Sequence, residues 1–117
     1  MVLETALCDD IREVKTAILR DKKISVFDDN KKDGLVLNEL ANIECLLASH
    51  NLIKDITGVC KLVTLQELNL SFNFISDISG IEELTLLKSL FLNHNRIMLI
   101  EPIRNLKSLK QLGLFHN

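Results

Sequence analysis

Residues 65–86, LQELNLSFNFISDISGIEELTL, are followed by residues 87–108, LKSLFLNHNRIMLIEPIRNLKS. Laid one over the other, the two stretches align residue for residue, and working outward adds a full copy before them and a partial copy after. Asparagines fall at Asn51, Asn73, Asn95 and Asn117, at one constant interval. Four segments begin at Ile43, Leu65, Leu87 and Leu109. Their shared columns are apolar: Leu46, Leu68, Leu90 and Leu112; then Ala48, Leu70, Leu92 and Leu114; then, after the asparagine, Ile53, Ile75 and Ile97, and Ile56, Ile78 and Ile100. Val59, Ile81 and Ile103 follow, and Leu62, Leu84 and Leu106 complete the period. A fixed period of this length is the mark of a stacked repeat architecture.

The spacing assigns each part of the unit. Leu68-Asn69-Leu70 alternates apolar and polar, as a half-buried strand does. Residues 75, 78, 81 and 84 are apolar at every third position, which suits a 3₁₀ or irregular helical return. One strand and one return cannot bury their own apolar face. Stacking them builds a curved parallel sheet on one side and a continuous core behind it, an α/β solenoid with the sheet concave and the returns convex. The asparagine stands where the strand leaves the sheet and backbone groups lose their ladder partners. An amide both donates and accepts, so it can pair orphans of both kinds; an ionised carboxylate cannot. Asn51, Asn73, Asn95 and Asn117 are therefore expected to form a structural ladder.

These residues carry a resemblance. The quoted stretches are similar to the 22-residue class of leucine-rich repeat, as found in the protein phosphatase 1 regulatory subunit, the axonemal dynein light chain and the spliceosomal U2 A-prime protein. The resemblance covers residues 43–117, as units 43–64, 65–86, 87–108 and a partial 109–117. It implies a eukaryotic, intracellular module that binds a protein on its concave sheet, with a regulatory or cytoskeletal role, and no catalytic activity. A ribonucleoprotein scaffold of the U2 A-prime type is the alternative it implies.

Residues 1–42 depart from the period and are expected to cap the first repeat. Leu3, Leu7, Ile11, Val14 and Ile18 fit an amphipathic helix over 2–20. A rival parse takes Val14, Ala17, Leu19 and Ile24 as a degenerate first repeat with its strand near 16–19. A helix followed by one degenerate repeat is the favoured combination. The run Asp28-Asp29-Asn30-Lys31-Lys32-Asp33-Gly34 reads as a polar loop. As a calcium loop it fails: with Asp29 first, Lys31 takes the third position and Leu40 the twelfth, where a bidentate glutamate is needed.

Composition excludes other classes. At 47% hydrophobic and 26% charged residues the chain is an ordinary globular one. Its longest apolar runs, such as Ile97-Met98-Leu99-Ile100, are far short of the roughly 20 residues a membrane span needs. A net charge of −2 leaves no electrostatic footprint for nucleic acid. The 3 cysteines, Cys8, Cys45 and Cys60, form no CxxC and no even set, so they read as reduced thiols. A cytoplasmic location is expected, with nuclear or ciliary settings as alternatives. GxxxxGK[ST], GxGxxG, HExxH and GxSxG are absent, so no cofactor and no catalytic residue is expected. The sequon Asn69-Leu70-Ser71 lies in an expected strand and is read as unused.

The functional signal lies between the core columns. Residues expected on the concave face include Glu67, Asn69, Ser71, Phe72, Phe91, Asn93, His94, Phe115 and His116, with Leu52, Phe74 and Arg96 on the rim after the asparagine. Four of the 5 Phe stand on this face or rim, and all 3 His, at 50, 94 and 116, share one column with Phe72. Phe72 and Phe74 are read as covers of the turn, whereas Phe91 and Phe115, diagonal across neighbouring strands, are read as interface anchors. His94 and His116 are close enough to approach, but two histidines lack the further ligands zinc wants, so no metal is expected. Charge is uneven: 65–86 holds Glu67, Asp77, Glu82 and Glu83 with no cation, while 87–117 holds Lys88, Arg96, Arg104, Lys107 and Lys110 against Glu101. The chain stops at Asn117, midway through a unit. It is expected either to be a fragment or to have its last strand covered by another molecule, a second copy pairing edge to edge included.

Overall fold

The computed structural model describes residues 14–26 and 40–117. Five three-residue strands form one parallel sheet in sequence order: β1 Thr16–Ile18, β2 Cys45–Leu47, β3 Glu67–Asn69, β4 Ser89–Phe91 and β5 Gln111–Gly113. The register follows the sequence period. Cys45 pairs with Glu67, Glu67 with Ser89 and Ser89 with Gln111, one full period on at each step. Thr16 pairs with Cys45 across a wider interval, so the first unit is the longer one.

Each of the first four strands buries its middle residue, while Leu112 in β5 is exposed. Ala17, Leu46, Leu68 and Leu90 are fully buried, and so are Leu19, Ala48, Leu70 and Leu92 two positions later. Behind them short 3₁₀ turns, Val59–Lys61, Ile81–Glu83 and Glu101–Asn105, carry the chain back. The threefold turn places Ile56, Val59 and Leu62 on one side, and Ile78, Ile81 and Leu84 below them, all buried. Gly80 opens the middle turn at φ +98, and a Cβ there would meet the Cys60 sulfur at 3.3 Å. The core is one contiguous cluster from Val14 to Leu106, and every fully buried large side chain in it is Leu or Ile.

The expected helix over 2–20 is corrected where the structure describes it. Residues 16–18 are a strand, and the described residues contain no α-helix. Val14 and Ile18 suit a helical period, but Ala17 and Leu19 fill the same columns as Leu46 and Ala48, and the backbone gains a parallel ladder. Glu44 and Cys45 both donate N–H to the Lys15 carbonyl, and Leu19 donates to Leu47. Ile18 lies half-buried on the sheet's open face, in register with Leu47. The degenerate first repeat is thus the arrangement seen. Residues 2–13, and the 28–34 loop, lie outside the described residues.

Candidate functional site: a ring column beside the concave sheet

The asparagine column fixes the edge on which the site is built. Asn73 Oδ1 accepts the N–H of Ile53 at 3.0 Å, one unit back. Its Nδ2 donates to the carbonyls of Ala48, Leu70 and Ser71. Asn95 repeats this with Ile75, Leu70, Leu92 and Asn93. Asn117 bonds Ile97 N–H and the Leu92, Leu114 and Phe115 carbonyls. Asn51 does more: its Oδ1 takes two N–H groups, from Lys22 and Ile24, while Nδ2 serves Leu19, Ala48 and Ser49. Asn51, Asn73 and Asn95 are buried.

To make this turn the residue before each asparagine enters the left-handed region. His50, Phe72, His94 and His116 have φ of 56, 59, 55 and 58°. Histidine is among the residues enriched there; phenylalanine, a bulky side chain, is not. With one backbone conformation repeated, the four rings stack. His50 and Phe72 lie 4.3 Å apart at 10°, Phe72 and His94 4.1 Å apart at 13°, and His94 and His116 4.5 Å apart at 20°. Ring pairs this close add to plain area burial. Phe115 meets this column edge-on, 5.1 Å from His94 and 5.2 Å from His116.

The concave residues divide accordingly. Glu67 is exposed and accepts a hydrogen bond from the Cys45 thiol. Desolvation first, then the Glu67 charge, pushes that thiol up to about 11. Phe91 is half-buried, in register with Asn69 on one side and Gly113 on the other. Asn69 Oδ1 accepts the Ser71 N–H, and Asn93 Oδ1 accepts the Phe115 N–H, both at 3.0 Å. The Asn93 side chain lies over Gly113, where a Cβ would come within 2.8 Å of it. Phe115 is 60% exposed. On the rim, the Arg96 guanidinium sits 4.9 Å above the Phe74 ring.

Among the described residues the ring contacts of Phe115 are to the histidines of the column. One placement differs from expectation. Ser71, expected on the open face, is buried, and its Oγ accepts the Asn93 N–H. Sequence reasoning groups His50, Phe72, His94 and His116 but misses their continuous stack; the signal is their place one residue before the asparagine, a turn position. It also places Leu52 on the rim but passes over Ser25 and Lys54 beside it.

Among the described residues no three His, Cys, Asp or Glu side chains cluster to hold a metal ion. No helix among them is long and apolar enough to cross a membrane. Cys45 and Cys60 are free thiols. Burial, followed by the charges of Glu82, Asp55 and Glu83, raises Cys60 to about 12, so neither thiol is a ready nucleophile.

Comparison with known proteins agrees with this geometry. Residues 41–83 match the family model for leucine-rich repeats in two copies. An internalin (InlF) of Listeria monocytogenes superposes with a TM-score of 0.81 at 30% identity, over 92% of this chain and 29% of its own. Internalin C2 of the same organism gives 0.70 at 27% identity, over 88% of this chain and 52% of its own. The chain therefore spans under a third of one and about half of the other. A search of curated proteins found no match. Period, parallel register and family match agree: the chain carries leucine-rich repeats.

Proposed function

We propose that the chain is a non-enzymatic protein-binding module whose partner docks on the concave sheet and the ring column beside it. The supporting observation is Phe115. It is 60% exposed, yet held in place edge-on against two stacked histidines. A large aromatic kept rigid in water is costly for a monomer to maintain and suits an interface anchor. Phe91, His94, Arg96 and Glu67 complete the contact, with Asn69, Phe72, Phe74, Asn93 and His116 around them. A cytoplasmic setting belongs to the same proposal, since it keeps Cys45 and Cys60 as thiols.

A ribonucleoprotein scaffold fits less well. The outward residues of β2 to β5, from Cys45 to Gln111 and Gly113, include no Lys or Arg. Phosphate contacts would have to come from elsewhere. The test is affinity purification with mass spectrometry from the native source, repeated with Phe91→Ala/Phe115→Ala. The double variant should lose the partner while keeping its circular dichroism spectrum and melting point. Undiminished capture would refute this interface.

A further inference from the structure

Just past the ring column, on the rim, Leu52 and Phe74 form an apolar floor between cations. Ser25, Leu52, Lys54, Phe74 and Arg96 line a shallow cleft of about 470 Å³. That is within the usual range of roughly 300–1,000 Å³ for ligand-binding clefts. The floor is open to solvent: Leu52 and Phe74 are both exposed. The period explains why they meet. Leu52, Phe74 and Arg96 occupy one column of successive units, and their N–H groups donate in turn to Ile24, Ile53 and Ile75.

Among the described residues the charge lining the cleft has one sign. Arg96 leans on the Phe74 ring, and among the described residues neither it nor Lys54 has an ion-pair partner. The nearest acid in sequence, Asp55, is turned onto its own Thr57. A second recess continues from this floor along the ring column, sharing Leu52 and Phe74 and reaching His50 and His94. An apolar floor with two cations that have no ion-pair partner among the described residues fits a ligand that is apolar and anionic at once.

We infer that this rim cleft is a second contact of the proposed protein interface, taking an acidic segment of the partner in which a large apolar side chain stands close in sequence to a carboxylate. The apolar side chain lies on Leu52 and Phe74, and the carboxylate bridges Lys54 and Arg96. The inference rests on the reading of the chain as a protein-binding module and shares Phe74 and Arg96 with that interface, but neither Phe91 nor Phe115 lines the cleft.

The test is selection of a random peptide library on the immobilised full chain, followed by sequencing. Peptides with Asp or Glu within two positions of Phe, Leu, Ile or Met should be enriched at least tenfold over the input. Lys54→Glu/Arg96→Glu should abolish that enrichment and favour Lys or Arg beside the same apolar residues. Both positions are exposed, so the variant should melt with the parent. Phe91→Ala/Phe115→Ala should leave the selected motif unchanged, which separates failure of this cleft from failure of the concave interface. No enrichment, enrichment without acids, or a motif indifferent to charge reversal would overturn the inference. So would co-sedimentation with phosphatidylserine vesicles that charge reversal removes, since the cations would then serve a membrane surface.

Discussion

The first unit and the interior repeats share one sheet but not one motif. Thr16–Ile18 pairs with Cys45–Leu47 in the same parallel manner as the later strands pair with one another. Yet the position that holds asparagine in every later unit holds Lys22, and the ring position holds Asp21, at φ 57°. Val26, bridged to Asp55, stands where the interior returns carry an aspartate. Strand pairing therefore tolerates loss of the polar motif, provided Ala17 and Leu19 keep their buried columns. What the motif adds is the pairing of backbone groups at the turn, and the neighbouring unit supplies what the first one lacks.

Asn51 supplies it, which leads to the largest expected effect. Its Oδ1 accepts two N–H groups of the first unit, where Asn73 accepts one from the unit before it. An orphaned buried polar group costs about 1–3 kcal/mol. Asn51→Ala should therefore lose about 4 kcal/mol and Asn73→Ala about 2–3 kcal/mol. Asn117→Ala, at an exposed position, should lose under about 1 kcal/mol. Urea unfolding measures the series, and amide exchange at Lys22 and Ile24, whose N–H groups Asn51 accepts, should quicken first in Asn51→Ala. Equal costs at Asn51 and Asn73 would erase the distinction between first and interior units. A loss below about 0.5 kcal/mol at Asn73 would deny the ladder altogether.

Most of this fold was legible because the columns repeat. A constant period, with leucines at fixed places in it, leaves little freedom in register, and β2 to β5 pair accordingly. The first unit was harder. Its longer offset conceals the period, and Val14 and Ile18 satisfy a helical spacing as well as Ala17 and Leu19 satisfy a strand. Two local patterns were both present, and only the neighbouring strand decides between them. At the site, the membership of the ring column was visible in sequence, but its left-handed backbone was not. Nothing in His94 or Phe72 alone announces a positive φ; it arises from the turn that the asparagine closes. The rim cleft was hidden for a related reason: Ser25 joins Leu52 and Lys54 only through the irregular first unit.

The ring column gives a test of intermediate size. Asp21 occupies the left-handed position in the first unit, a residue type that accepts it, whereas Phe72 holds the same backbone with a bulky ring at φ 59°. Stacking on His50 and His94 is what offsets that strain. Phe72→His keeps the stack and suits the backbone, so stability should stay within about 0.5 kcal/mol of the parent. Phe72→Val loses the rings and puts a β-branched side chain at positive φ, costing about 2 kcal/mol. Thermal unfolding of the two variants beside the parent makes the comparison. A valine variant as stable as the histidine variant would mean that the column carries no stacking energy, and that its alignment follows only from the repeat.

The smallest effect lies in the returns. Asp55 Oδ1 accepts the Thr57 N–H at 2.8 Å and the Thr57 hydroxyl, and Asp77 does the same with Ser79 at 2.9 and 2.6 Å. These hydrogen bonds favour the ionised carboxylates and lower both below the ordinary 3.8. A carboxyl lowered on folding contributes stability that is present above its unfolded value and is lost as pH falls through the folded one. Val26 in the first unit and Leu99 in the last return have no such group, so any contribution comes from the interior repeats alone. Asp55→Asn/Asp77→Asn should therefore melt slightly below the parent at neutral pH, and the gap should close as pH falls below 3.8. Both side chains lie in solvent, so the gap should be small and should narrow in high salt. Melting curves of the two proteins across acid pH measure it. A gap that stays constant with pH would show that the turns are held by the shape of the Asp side chain rather than by its charge, and the interior returns would then differ from the first unit in packing alone.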